Sequence, residues 1–138
     1  MFVGVYERQL DERGRVALPS AFRSDLGDRC YLFLGEDGCV SVRSEDSFQA
    51  EAAELIEQVK RGDASRARRR AFAASAVHAT IDKQGRITVD QRLRDHAGIE
   101  PQATVMVLGD LDKIEIWEPE AYRANDVAGQ LEIAGGGG

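Results

Sequence analysis

Asp11-Glu12-Arg13-Gly14-Arg15-Val16-Ala17-Leu18-Pro19-Ser20-Ala21-Phe22-Arg23-Ser24-Asp25-Leu26-Gly27 aligns without a gap on Asp82-Lys83-Gln84-Gly85-Arg86-Ile87-Thr88-Val89-Asp90-Gln91-Arg92-Leu93-Arg94-Asp95-His96-Ala97-Gly98. The Asp, the turn Gly, the Arg after it, a second Arg and the closing Gly are identical. Val16/Ile87, Leu18/Val89 and Phe22/Leu93 keep their apolar character. Turn, charge and core positions rarely coincide by chance, so the chain carries an internal repeat. A duplicated basic turn suggests a surface made to meet something itself repetitive.

Outward from each copy the plan continues. After the closing Gly come an apolar run, a Gly-Asp/Glu turn, a second alternating run and a helix bearing an aromatic residue. In the first copy these are Tyr31 to Leu34, Gly35 to Gly38, Val40 to Val42 and Ser44 to Phe48. In the second they are Val105 to Leu108, Gly109 to Asp112, Ile114 to Trp117 and Pro119 to Tyr122, after a slip of three residues. The organisation expected is a first repeat over 1–50, a helical connector over 51–75, a second repeat over 76–128 and a disordered Gly-rich tail over 129–138. Units of roughly 50 residues bury too little surface to be comfortable alone, so the copies should share a core with each other or with a neighbouring chain.

Locally, Val3 to Leu10 and Ala76 to Ile81 read as strands. Asp11 to Gly14 and Asp82 to Gly85 read as turns, and Arg15 to Leu18 and Arg86 to Val89 as returning strands. Pro19 opens one short helix and Asp90 caps its counterpart. Cys30 to Leu34 and Cys39 to Arg43 should pair as a hairpin. Ser44 caps a helix running to about Lys60, and Gly62-Asp63 breaks it before an Arg-rich helix ending near Ala74. Glu118-Pro119 begins a terminal helix ending near Gly129. Hairpin-connected strands with helices between and after them give an α+β fold, with a small antiparallel β-barrel-like core.

The 138-residue chain has 43% apolar residues and a net charge of −6. That acidity argues against nonspecific attraction to phosphate, but the charge is polarised. Residues 60–74 carry a net +5 and each repeat turn is locally +1, whereas 24–59 carry −7 and 97–138 carry −6. No stretch has the roughly 20 apolar residues of a membrane span. Met1 to Gln9 lacks a signal-peptide pattern, so the cytoplasm is the expected location. Cys30 and Cys39 lack metal-type spacing with His78 or His96, and two thiols on adjacent strands of a cytosolic protein are more often small core residues. No cofactor, no metal and no catalytic residues are expected: Ser20 has no evident His partner, and the Gly-Arg turns lack phosphate-loop spacing.

The Asp-x-x-Gly-Arg turns are the sharpest chemical signal. Gly14 and Gly85 let the chain reverse, while Arg13, Arg15, Lys83 and Arg86 project from the tip and shoulder. An arginine fork can grip a phosphate or the O6/N7 edge of guanine in two bonds, and a two-stranded ribbon is narrow enough for a major groove. The same residues also permit a structural reading, in which Asp11 pairs with Arg15, and Asp82 with Arg86, to brace the turn. The two readings are compatible. For Arg66 to Arg70 the alternatives are a solvated or interface face against the acidic 45–57 helix or a neighbouring subunit, or further contact with nucleic acid. Trp117, Phe48 and Tyr122 read as core.

Met1-Phe2-x-Gly4, Leu10-Asp11-x-x-Gly14-Arg15-x-x-Leu18-Pro19-x-x-Phe22-Arg23, Asp82-x-Gln84-Gly85-Arg86-Ile87 and Ile114-Glu115-Ile116-Trp117 together resemble the bacterial MraZ transcriptional regulators over about residues 1–125. The resemblance implies tandem AbrB-like swapped-hairpin modules, with one chain supplying both halves of a pseudo-twofold barrel. It also implies a ring-shaped homo-oligomer that binds double-stranded DNA at short direct repeats upstream of its own division and cell-wall gene cluster, as a nucleoid-associated repressor. Asp11 with Arg15 and Asp82 with Arg86 are the DNA-contact motifs it implies. Val89-Asp90 departs from the Leu18-Pro19 pattern and sets a negative charge near Arg86. The competing class is an antitoxin-like or scaffold module holding a protein partner on its 45–74 helices.

Overall fold

The computed structural model describes residues 1–135. Eight strands form two sheets: β1 (Val5–Gln9), β2 (Arg15–Ala17), β3 (Arg29–Leu34), β4 (Val40–Ser44), β5 (Val77–Thr80), β6 (Arg86–Thr88), β7 (Thr104–Asp110) and β8 (Lys113–Trp117). Five helices join them: α1 (Ser20–Leu26), α2 (Glu45–Arg61), α3 (Arg66–Ser75), α4 (Gln91–Ala97) and α5 (Pro119–Ile133). The larger sheet is antiparallel in the order β1-β7-β8-β4-β3-β5, and β2 pairs with β6 in a separate ribbon.

That order encodes the duplication. The first strand of each copy leaves its own copy and joins the hairpin of the other: β1 lies on β7, and β5 lies on β3. A pseudo-twofold axis passes between β4 and β8, where Ser41 faces Glu115, and between β2 and β6, where Val16 faces Ile87. Equivalent residues are offset by 71 across the turns (Val16 to Ile87), by 75 across β3 and β7 (Cys30 to Val105) and by 74 across β4 and β8 (Val40 to Ile114). The expected slip of three is therefore four residues before β7, with one returned in the tighter β7–β8 connection.

Turn chemistry alone would fold each return strand back on the strand before it, whereas the family resemblance implies swapped hairpins; β2 pairs with β6, so the ribbon takes one strand from each copy. The reason lies in the pleat: strand residues alternate faces, and Val16 and Ile87, facing each other at the ribbon centre, are 0% and 1% exposed. Pairing the two return strands places both apolar centres on one shared core, which neither half has enough side chains to build alone. No ladder joins β1 to β5 among the described residues, so the larger sheet stays open, and each of its edge strands leads through a turn into the ribbon.

The core lies between the ribbon, the short helices α1 and α4, and the inner face of the larger sheet. It includes Leu10, Leu18, Phe22, Leu32, Val42, Val89, Leu93, Val105 and Ile116. Phe22 takes edge-to-face contacts from Phe2 and Tyr6 at 5.5 and 5.4 Å. Full burial of one such side chain stabilises by roughly 1.5–3 kcal/mol. The helices cover the outer face, α2 and α3 over β3–β4 and α5 over β7.

Several local expectations hold. Ser44 caps α2 by accepting from Ser47 N, and Gly62 closes that helix with left-handed backbone. Asp90 caps α4 through Leu93 N at 3.0 Å, whereas Pro19 at the same place in α1 offers no side-chain cap. The β3–β4 hairpin forms, but Cys30 faces Ser44 near one end and Cys39 adjoins Gly35 at the other, so the thiols do not meet. Both thiols are buried, and burial pushes the Cys30 thiol up to about 12. Trp117 is buried; Phe48 and Tyr122 are half-buried. The terminal helix passes its expected stop at Gly129 and continues to Ile133, because Gln130, Leu131 and Glu132 favour helix enough to carry it across one Gly. Of the expected tail, Gly136 to Gly138 lie outside the described residues.

Candidate nucleic-acid interface

The two turns are built alike, atom for atom. Asp11 Oδ1 accepts from the backbone N–H of Arg13 and of Arg15, both at 2.9 Å, and its Oδ2 accepts from Arg15 Nε at 2.7 Å. Asp82 does the same for Gln84 N, Arg86 N and Arg86 Nε, all at 2.9 Å. The main chain closes each turn through Gly14 N to Asp11 O and Gly85 N to Asp82 O. Gly14 and Gly85 sit at φ 74° and 77°, the left-handed region that glycine enters without steric strain.

Both carboxyls are held below the ordinary aspartate value. The backbone N–H of the following arginine is the largest cause, and that arginine's guanidinium adds to it. Each Asp therefore stays ionised, fixing the turn and aiming a guanidinium together. Because only Nε is used within each copy, the outer Nη groups are not consumed by the brace.

Alternation along the ribbon turns Val16 and Ile87 inward and leaves Arg15, Ala17, Arg86 and Thr88 facing out. Arg15 stands opposite Thr88, and Arg86 opposite Ala17, so the two arginines are diagonal neighbours with a separation of about 7–8 Å. Arg86 Nη1 crosses the pseudo-twofold to within 3.8 Å of Asp11 Oδ2. No reciprocal Arg15–Asp82 pair forms among the described residues. The two turns thus merge into one composite patch, which their separation by 71 positions in the chain does not reveal.

Arg13 and Lys83 are exposed, and among the described residues their side chains make no hydrogen bond or ion pair. Asp90, expected to set a negative charge near Arg86, spends one carboxylate oxygen capping α4 and forms no ion pair with Arg86 among the described residues.

Two further cations belong to the patch. A Cβ placed on Gly85 would lie 2.5 Å from Arg23 Nη1, and one on Gly14 would collide with Arg94 Nη1. Each copy's short helix thus lays an arginine over the other copy's turn, which is a second reason for glycine there. Sequence reasoning did not count Arg23 and Arg94 as site residues, although the repeat alignment carries their signal as its second identical Arg. With them the patch holds six cations, Arg13, Arg15, Arg23, Lys83, Arg86 and Arg94, against Asp11, Glu12 and Asp82. Elsewhere, Arg68 of the Arg-rich helix turns to Glu36 at 2.9 Å and not to the acidic face of α2.

A fold of two tandem modules that exchange their first strands and present one doubled Asp-x-x-Gly-Arg patch defines the class. A family model described as "MraZ protein, putative antitoxin-like" matches twice, over residues 1–71 and 72–126. The transcriptional regulator MraZ of Lachnoclostridium phytofermentans is 36% identical over 137 residues, covering 97% of this chain and 93% of its own length. Its namesake in Thermoanaerobacter pseudethanolicus is 40% identical over 122 residues, covering 88% and 84%. The Corynebacterium jeikeium protein of that name is 36% identical over the same length and shares. The chain belongs to the MraZ family.

Proposed function

We propose that this protein is a transcriptional regulator that reads double-stranded DNA through the composite patch of its two turns. One observation carries the reading: Asp11 and Asp82 grip Nε of Arg15 and Arg86 on the outward face of a two-stranded ribbon, so within each copy the brace uses none of the outer nitrogens and only Arg86 Nη1 approaches a carboxylate, Asp11 of the other copy at 3.8 Å. A fork held by a carboxylate loses little rotamer freedom on meeting a phosphate or a guanine edge. Arg13 and Lys83 add backbone-phosphate contacts from the turn tips, which orient the protein without carrying sequence information. The names of the relatives support regulation of transcription as the setting.

The finer reading is repression from short direct repeats upstream of the protein's own division and cell-wall gene cluster, in the cytoplasm at the nucleoid, with no enzymatic step. A single patch is weakly basic on an acidic chain, so one site alone binds modestly. Self-assembly into a ring would set several patches against tandem DNA sites, and avidity then raises affinity by about 10²–10⁴ without new contacts.

The test is fluorescence anisotropy of the protein on its own upstream DNA and on a scrambled duplex, across a salt series. Selective binding whose log–log salt slope is about −0.9 per phosphate engaged supports the proposal. Equal, weak binding to both duplexes contradicts it and favours a module for holding a protein partner.

A further inference from the structure

The two turn tips occupy equivalent places and carry different chemistry. The repeat alignment matches Arg13 with Gln84, each the residue just before its turn glycine. Both are pinned in the same way, the backbone N–H donating at 2.9 Å to Oδ1 of the turn's aspartate. Both are exposed, and among the described residues neither side chain makes a hydrogen bond or ion pair. Arginine at a tip can meet a phosphate through its charge. Gln84 is neutral, and its amide offers an acceptor oxygen beside a donor NH2, so it is fully used only by a partner with a donor and an acceptor side by side. In the major groove of a duplex the adenine edge is that partner, with the N6 donor next to the N7 acceptor. Guanine shows two acceptors there, and thymine an acceptor beside a methyl group.

The ribbon holds these tips apart. Val89 N donates to Gly14 O at 2.8 Å and Leu18 N to Gly85 O at 2.9 Å, so the two turns close opposite ends of the ribbon. The residue steps from Gly14 to Leu18 span about 13 Å, which is about four base-pair steps along a groove. The shoulders differ as well: Arg86 Nη1 is drawn to Asp11 at 3.8 Å, while Arg15 meets no second carboxylate among the described residues. A strict twofold would present the same residues at both ends and match a palindrome. Here Glu12-Arg13 stands at one end and Lys83-Gln84 at the other.

We propose that Gln84 is a specificity-determining residue that reads adenine in the major groove, its side-chain carbonyl accepting from N6 and its NH2 donating to N7. The composite patch then recognises a DNA site that has a direction and no dyad. Lys83 beside Gln84 supplies the phosphate contact that Arg13 supplies at the other end. The inference rests on DNA reading by the turns and assigns one base of the site to one residue.

Selection from a duplex library randomised over its core, followed by sequencing, tests it with the full-length protein. Wild type is compared with Gln84→Ala and Gln84→Arg, and circular dichroism melts check folding. Because the Gln84 side chain is exposed and unbonded, both variants should melt as the wild type does. The wild type is expected to enrich a site without a dyad, with adenine favoured at one position by about 5- to 100-fold. Gln84→Ala should lose that one preference and keep the others, and Gln84→Arg should turn it towards guanine. A palindromic wild-type site, no favoured adenine, an adenine preference that survives in Gln84→Ala, or a loss spread evenly over the site would overturn the inference and leave DNA reading by the turns standing. A wild type that enriches no sequence at all would overturn both.

Discussion

The Asp11 turn and the Asp82 turn share a brace but not a tip. In both, one carboxylate takes two backbone N–H bonds and one guanidinium Nε, at distances agreeing within 0.2 Å. Between brace and glycine the first carries Glu12-Arg13 and the second Lys83-Gln84. The brace is fixed by geometry, since a reversing chain must satisfy its amides, a short acceptor side chain at the turn's start reaches them, and a carboxylate there also holds the guanidinium. The tip points into solvent and obeys no such constraint. What the copies hold in common is therefore the means of presenting Arg15 and Arg86, and where they differ their exposed tips carry different charge.

The largest effect expected in either half is at the ribbon centre. Ile87→Ala should destabilise by about 2–4 kcal/mol in urea unfolding, and Val16→Ala by less because fewer methyl groups are removed. Near-zero effects at both positions would show that the ribbon does not share the core. Next come the turn glycines. Gly14→Ala and Gly85→Ala should each lose about 1–2 kcal/mol to left-handed backbone strain. Gly14 should be the worse of the two, because its Cβ also meets the Val89 carbonyl at 3.0 Å, whereas around Gly85 the nearest atoms are all in the Arg23 side chain.

A smaller asymmetry is expected where the short helices begin. Asp90→Ala removes a side-chain cap and should lower stability by about 1 kcal/mol, while Pro19→Ala has no such bond to lose. The finest test is acid titration. The Asp11 and Asp82 carboxyls are depressed in the folded chain, so their contribution is full above the unfolded value near 3.8 and is lost as pH falls through the lower folded values. Asp11→Asn and Asp82→Asn should each flatten that acid limb of the stability curve, by similar amounts if the braces are equivalent.

Much of this was legible in the sequence, because the repeat alignment puts turn, charge and core positions in one frame. The helix caps at Ser44 and Asp90 and the β3–β4 hairpin follow from local chemistry. The exchange of strands was legible only through the family resemblance, which implies swapped hairpins: the residues of β1 and β2 suit a simple hairpin as well, and locally only the need to bury Val16 against Ile87 decides between them. The composite patch was half visible. Arg15 and Arg86 stand out beside their glycines, but the Arg86–Asp11 approach and the arginines over the opposite turns depend on tertiary placement. Arg23 and Arg94 carry a signal as repeated identities, but nothing local in the sequence lays either short helix over the opposite turn.

The central claim is that both turns serve one DNA-contact patch. Anisotropy titrations of Arg15→Ala and Arg86→Ala on the protein's own upstream DNA, at several salt concentrations and with unfolding curves beside them, test it most directly. Each substitution is expected to weaken binding by about 1–3 kcal/mol and to shallow the salt slope by about one for every phosphate no longer engaged, with the fold intact. If either folded variant bound with the affinity and slope of the wild type, that turn would be a brace alone and the composite patch would be contradicted.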